Sequence, residues 1–174
     1  MPDPGTEYIR YLQEAGCDPG VIAHCVVVHD VAIRITDRII QAGRVPVDRD
    51  LVEAGALLHD IGRSQTHGMD HADVGGNICR ELGLSPHICR IIETHIGAGL
   101  TGMERRAFGL SGDDRIPESL EEKIVAHADN LVKGTRVISR ADLELAIRKF
   151  PYGVRRRFLT LTDELETLAG SEFP

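Results

Sequence analysis

The sequence predicts an all-α fold. Apolar residues recur at helical spacing along almost the whole chain, and capping residues and glycines punctuate it at helical lengths. Nowhere does the side-chain pattern alternate convincingly as in a half-buried strand. A first helix is expected from about Thr6 to Ala15, stopped by Gly16. Asp18-Pro19 then supplies an N-cap and a proline at the first helical position. In the long helix that follows, His24, Val28, Ala32, Ile35 and Ile39 share one face. It ends near Gly43, and Pro46 prevents continuation. Asp48 caps a helix through Leu51, Ala54, Leu57 and Leu58 to His59-Asp60, closed by Gly62. Asp70 caps a helix from His71 to Leu82, with Gly83 as its left-handed exit. Ser85-Pro86 starts another, to about Ile96. Ser119 and Glu122 form a capping-box pattern for the helix carrying Asp129. Helices from about Arg140 to Lys149 and from Val154 to Leu168 complete the chain. The one long irregular stretch, Gly97 to Glu118, follows directly after His95 and has room for a single turn started by Thr101 with Glu104 three residues on.

Composition narrows the class. The 174 residues are enough for one domain with a proper core, expected as a unit of about 20–135 with C-terminal helices at 139–170 packed on it. Hydrophobic residues make up 42% and aromatics only 4%, so Val, Ile, Leu and Ala must build the core. A net charge of -7 argues against a nucleic-acid polymer or an anionic membrane as the main partner. No apolar run of membrane-spanning length and no signal pattern stand out, so a cytoplasmic location is expected. Cys17, Cys25, Cys79 and Cys89 lack C-x-x-C spacing and read as buried, reduced thiols, which makes a zinc–thiolate site a poor fit.

The chemistry concentrates in histidines and aspartates. His59-Asp60 sits at the polar end of an apolar helix, where it can offer one metal an imidazole and a carboxylate oxygen. His24, His71, His95 and Asp129 complete a ligand set drawn from several helices. One ion would use His24, His59, Asp60 and Asp129, and a second His71 and His95, with Asp60 bridging. Two ions held about 3.5–4 Å apart activate a water between them and neutralise phosphate charge. A second dipeptide, His29-Asp30, competes for the same role. Five residues turn a helix by about 500°, leaving His29 about 140° from His24, so both cannot face one metal. The apolar stripe favours His24.

The order H…HD…H…H…D, with the run Leu58-His59-Asp60-Ile61-Gly62, resembles the HD-domain metal-dependent phosphohydrolases and their HDIG subgroup, in the small single-domain form found in archaea. The resemblance spans roughly residues 20 to 135. It implies an HD-domain helical bundle and places His24 as first ligand, His71 and His95 as the extra ligands of the dinuclear branch, and Asp129 as the final aspartate. It also implies hydrolysis of a phosphomonoester or a (cyclic) phosphodiester in a small nucleotide- or pterin-like molecule. A histidine–carboxylate set without thiolates suits two divalent ions, Fe or Mn ahead of Ni, Co, Zn or Mg.

Asp60, Arg63 and Lys133 are the catalytic candidates: Asp60 to join the ions, Arg63 and Lys133 to hold phosphoryl oxygens. Lys133 lies one helical turn beyond Asp129 and so can share its face; Arg63 reads equally as a cation favoured at a helix C-terminus. His67 reads as a surface loop residue, His87 as exposed, and His127 as facing away from Asp129. Arg105 and Arg106 either close over substrate or pair with Asp113 and Asp114; Arg155-Arg156-Arg157 reads as the solvated face of the last helix. Two alternatives to the hydrolase stand: a non-catalytic nucleotide- or metal-binding HD module, and a diiron HD-type oxygenase. The oligomeric state is open.

Overall fold

A computed structural model describes residues 4–173. Helix α1 spans Pro4–Ala15, α2 Pro19–Ala42 and α3 Arg49–Leu58. A 3₁₀ turn at Ile61–Ser64 leads to α4 (His71–Glu81) and α5 (Pro86–Thr94). The stretch expected to be irregular contains α6 (Gly102–Ala107); then come α7 (Leu120–Asn130), the two-residue strands β1 (Val132–Lys133) and β2 (Arg136–Val137), α8 (Arg140–Ala146), a 3₁₀ turn at Ile147–Lys149, and α9 (Tyr152–Ala169).

The caps are largely those the sequence predicts. The Asp48 carboxylate accepts the Leu51 N–H at 3.0 Å, and the Ser85 hydroxyl accepts that of Ile88 at 3.3 Å. Thr101 and Glu104 close a reciprocal capping box on α6. Three expected caps differ. Asp18 stands at the N-cap position of α2 but its side chain makes no cap hydrogen bond. Asp70 precedes α4 but makes no side-chain cap; its carboxylate accepts the Thr66 hydroxyl instead. Ser119 caps the Glu122 N–H, but the Glu122 carboxylate is engaged by the Glu118 N–H and the Thr94 hydroxyl, so the box is only half made. Glu122 thereby fastens the start of α7 to the end of α5.

Helix α2 is the hub. It packs on α3, α7 and α9, while α4 packs on α5 and on the first 3₁₀ turn. Contrary to the expectation that no apolar run is long enough to span a bilayer, α2 has 24 residues and a mean hydropathy of 1.3, sufficient by length and composition. Here Val28, Ala32, Ile35 and Ile39 of α2 join Val52, Ile91, Ile124, Leu161 and Leu165 in the larger of two apolar clusters. Leu12, Cys25, Leu58, Ile61, Cys79 and Ile92 belong to the smaller one. All four cysteines are buried and free.

Candidate metal centre

The six predicted ligands come from five separate places in the fold. His24 is in the second turn of α2, His59 and Asp60 follow α3, His71 opens α4, His95 follows α5, and Asp129 is in the last turn of α7. Folding brings them together. His24 Nε2 lies 3.0 Å from Asp129 Oδ1 and 3.9 Å from Asp60 Oδ2. His59 Nε2 lies 3.6 Å from Asp129 Oδ1 and 3.8 Å from Asp60 Oδ2. On the other side, His71 and His95 Nε2 lie 3.3 and 3.5 Å from Asp60 Oδ1, and 3.1 Å from each other. One oxygen of Asp60 thus faces each half of the cluster.

The outer nitrogens explain how the rings are held. His24 Nδ1 is 2.7 Å from the Gly134 carbonyl, His59 Nδ1 2.8 Å from Ala56, His71 Nδ1 2.7 Å from Gly68, and His95 Nδ1 2.7 Å from Ile92. A carbonyl can only accept, so every Nδ1 carries the proton. In the neutral ring every Nε2 then presents a lone pair to the centre. The short contacts among Nε2 atoms and carboxylate oxygens therefore need positive charge between them, a metal ion or the proton of an imidazolium. Two buried atoms in this group, His59 Nε2 and Asp60 Oδ1, have no hydrogen-bond partner at all. This donor set fits divalent metal ions, and each of the sets His24–His59–Asp129 and His59–Asp60–His95 has ligand atoms close enough to share one ion.

The cluster attracts positive charge: burial works against it, but Cys25, Asp60 and Asp129 hold the His59 pKa well above the usual imidazole range. Burial alone would raise the Asp60 pKa, but His59 and His95 hold it well below the usual carboxylate range. Burial likewise works against the charge on Asp129, and His24 and His59 overcome it. Burial and the neighbouring His95 push His71 down to about 4, leaving it neutral near pH 7.

Backbone geometry explains the glycine of the Asp60-Ile61-Gly62 turn. A Cβ at Gly62 would lie 1.9 Å from the His71 carbonyl oxygen and 2.6 Å from the Gly75 nitrogen. Only a residue without a side chain lets this turn, which follows Asp60, press on the start of α4, which carries His71. Gly62 therefore does not simply close α3; it sets the distance between the two halves of the centre.

Arg63 belongs to the centre in a way the sequence did not indicate. Its Nε donates to Asp60 Oδ2 at 2.7 Å, and Nη2 lies 3.4 Å from His71 Nε2. Lys133 is corrected in placement: α7 ends at Asn130, so the one-helical-turn argument fails, and Lys133 stands exposed at the end of β1. The following Gly134, in the left-handed conformation at φ 63° within the β1–β2 turn, gives its carbonyl to His24. That carbonyl was missed. The readable signal was Gly134-Thr135 between two short Val-containing pairs, a hairpin pattern.

The remaining candidates sort cleanly. His29 contacts Asp30 at 3.1 Å and Glu53 at 3.8 Å, apart from the six. His67 and His87 are exposed, and His127 is buried against Phe173, away from the cluster. Arg105 is buried and pairs with Asp73 of α4 at 2.8 Å, not with Asp113 or Asp114; Arg106 is exposed. Arg157 is no free surface cation: it bonds Glu104 at 2.7 Å and the Gly99 carbonyl at 3.3 Å, tying α9 to the loop after His95.

This helical bundle with a histidine–aspartate cluster at the meeting of its helices has the architecture of an HD domain. Residues 21–134 match the HD domain family, and the chain belongs to it. The uncharacterized protein MJ0778 of Methanocaldococcus jannaschii is 43% identical over 158 residues, covering 87% of this chain and 91% of that one. A protein named tRNA (cytidine(56)-2′-O)-methyltransferase in Picrophilus torridus is 41% identical over 165 residues, covering 94% of this chain but only 47% of its own length, so this chain spans about half of that relative. Among solved structures, the HD domain of the L. monocytogenes phosphodiesterase PgpH in complex with cyclic-di-AMP superposes with a TM-score of 0.55 at 15% identity, covering 97% of this chain and 99% of that one. That likeness establishes the shared fold.

Proposed function

We propose that this protein is a metal-dependent phosphohydrolase that cleaves a phosphomonoester or a cyclic or linear phosphodiester of a nucleotide-like molecule. The observation that carries the reading is the inward convergence of four Nε2 atoms and two ionised carboxylates, with every outer Nδ1 anchored on a carbonyl. His24, His59, Asp60 and Asp129 would hold one divalent ion, and His71 and His95, with the other oxygen of Asp60, a second; Fe(II) or Mn(II) suits this donor set. Bound there, such ions make water a competent nucleophile near neutral pH and neutralise charge on phosphoryl oxygens. Arg63 orients the Asp60 carboxylate through Nε, and with its side chain 29% exposed the guanidinium can also meet a phosphate edge. Lys133, exposed beside the turn that anchors His24, is placed to attract an anionic substrate. His59, Asp60, His71 and His95 are buried, while His24 and Asp129, with side chains 15% and 24% exposed, leave the cluster open to solvent and substrate on one side.

The test is turnover of bis(p-nitrophenyl) phosphate, p-nitrophenyl phosphate and 2′,3′-cyclic nucleotides by protein reconstituted with Mn(II) or Fe(II). Asp60→Ala should abolish turnover, at least a hundredfold, and lower the metal content. An unchanged rate would sink the mechanism. Tight nucleotide binding with no turnover of any ester would replace it with a binding module, and oxygen consumption with no ester cleavage would replace it with an oxygenase.

A further inference from the structure

We propose that the surface formed by the second 3₁₀ turn and the first turns of α9 binds single-stranded nucleic acid. The net charge of -7 is a sum over the whole chain and conceals a local reversal. Between Ile147 and Arg157 stand Arg148, Lys149, Arg155, Arg156 and Arg157, and no carboxylate. Arg157 is taken up by Glu104, but among the described residues no carboxylate lies within 4.0 Å of the other four. Their charges are uncompensated in a protein that has an excess of acids elsewhere.

Aromatic rings are interleaved with these cations. Tyr152 is 70% exposed and Phe150 38% exposed, in a chain with only seven aromatic residues (Phe 4, Tyr 3, Trp 0). Phe150 is held flat by stacking on Phe158, with ring centroids 6.0 Å apart, and Lys149 Nζ sits 5.3 Å from its ring. Arg148, Tyr152, Arg155 and Arg156 line one cleft of about 390 Å³. Its only carboxylate, Glu144, is engaged by Arg140 Nε at 2.9 Å. Guanidinium groups that grip phosphates beside exposed rings that stack bases are what an unpaired strand requires. A duplex offers no free base faces to Tyr152, and a bilayer would call for a continuous apolar face where this one has arginines.

The surface also leads toward the metal centre. Phe150, Pro151 and Val154 also line a second, apolar cleft of about 300 Å³. The same cleft is lined by Ile96 and Leu100, in the segment after His95, and by Met69, two residues before His71. A strand lying over Tyr152 and Phe150 therefore has a path to the ligand loops. The proposal concerns binding and stands or falls separately from the hydrolase reading.

The experiment is fluorescence anisotropy of a labelled 12-nucleotide oligoadenylate, as RNA and as DNA, titrated with the full chain in the presence of a chelator so that turnover cannot intervene. A dissociation constant on the order of 10 µM at low salt is expected, weakening steeply as salt is raised. The double charge reversal Arg148→Glu/Arg156→Glu should weaken binding at least tenfold, and Tyr152→Ala severalfold. Both should keep the wild-type melting temperature and, with metal restored, the wild-type rate on bis(p-nitrophenyl) phosphate. The proposal is overturned if neither oligonucleotide binds at 100-fold that protein concentration, if the variants bind as wild type, or if anionic phosphatidylserine vesicles bind and the oligonucleotides do not.

Discussion

Two identical dipeptides, His29-Asp30 and His59-Asp60, show how little a residue pair decides without its surroundings. His59 is wholly buried, its Nε2 unpartnered and aimed at Asp60 and Asp129, whereas His29 leans on its own neighbour at the edge of α2. His59→Ala should therefore strip most of the bound metal, and His29→Ala should leave the metal-to-protein ratio unchanged, as read by elemental analysis after dialysis. His127 presents a third kind of histidine. It is buried with both ring nitrogens unpartnered, and burial, reinforced by Arg140, lowers its pKa to about 4. Because the folded state disfavours the proton that the unfolded chain takes up near pH 6.5, its contribution to stability is full above that pH and is lost as the pH falls toward 4. The cost at pH 5 is about 2 kcal/mol. Denaturant melts of His127→Leu at pH 7 and pH 5 should show a fall smaller than wild type by that amount; equal falls would refute the assignment.

At the scale of elements, ligand placement depends on how helix ends meet. Gly62 lets the turn after Asp60 press against the start of α4, and Gly75 lets α4 approach Ile92 of α5. Gly62→Ala should cost about 3 kcal/mol, since the obstructing atoms are backbone and cannot rotate away. It should also weaken binding at the His71–His95 side, visible as a lower metal stoichiometry in the folded fraction. The helices and most of their starts were legible in the sequence, because Asp48, Ser85, Thr101 and Ser119 act on their own next turn. Two features were not. The helix of Asp129 stops at Asn130, since the following residues pair as β1 and β2, and that moved Lys133 off the predicted face. Arg105 was read against Asp113 and Asp114 and Arg157 as a solvated surface residue, yet their partners are Asp73, 32 positions away, and Glu104, 53 positions away. Local spacing carries no record of such pairings.

For the whole molecule, the cluster sits where α2, α3, α4, α5 and α7 meet, so the metal and the bundle must stabilise each other. An ion bound to the folded state alone, at a hundred times its dissociation constant, adds about 2.7 kcal/mol. In a chain of this length that corresponds to a fall in melting temperature of about 5–10 °C on adding a chelator, reversed by restoring Mn(II). No shift in a thermal melt would mean that the six residues do not hold an ion. The family model ends at residue 134, and what lies beyond is the part with its own character: α9 packs on α2 and α7, ties the loop after His95 through Arg157, and turns Arg156 and Tyr152 outward.

The sequence by itself determined the helical class, most helix boundaries and the identity of the ligand-type residues, because helix periodicity, capping and residue chemistry act over a few positions. It also carried the family resemblance, since the order of His24, His59-Asp60, His71, His95 and Asp129 is preserved along the chain. Only the tertiary structure decided that all six converge, that Asp60 faces both halves, that Arg63 holds Asp60, and that Gly134 orients His24. These depend on contacts between residues as many as 110 positions apart, where burial and packing, not local preference, select the partner.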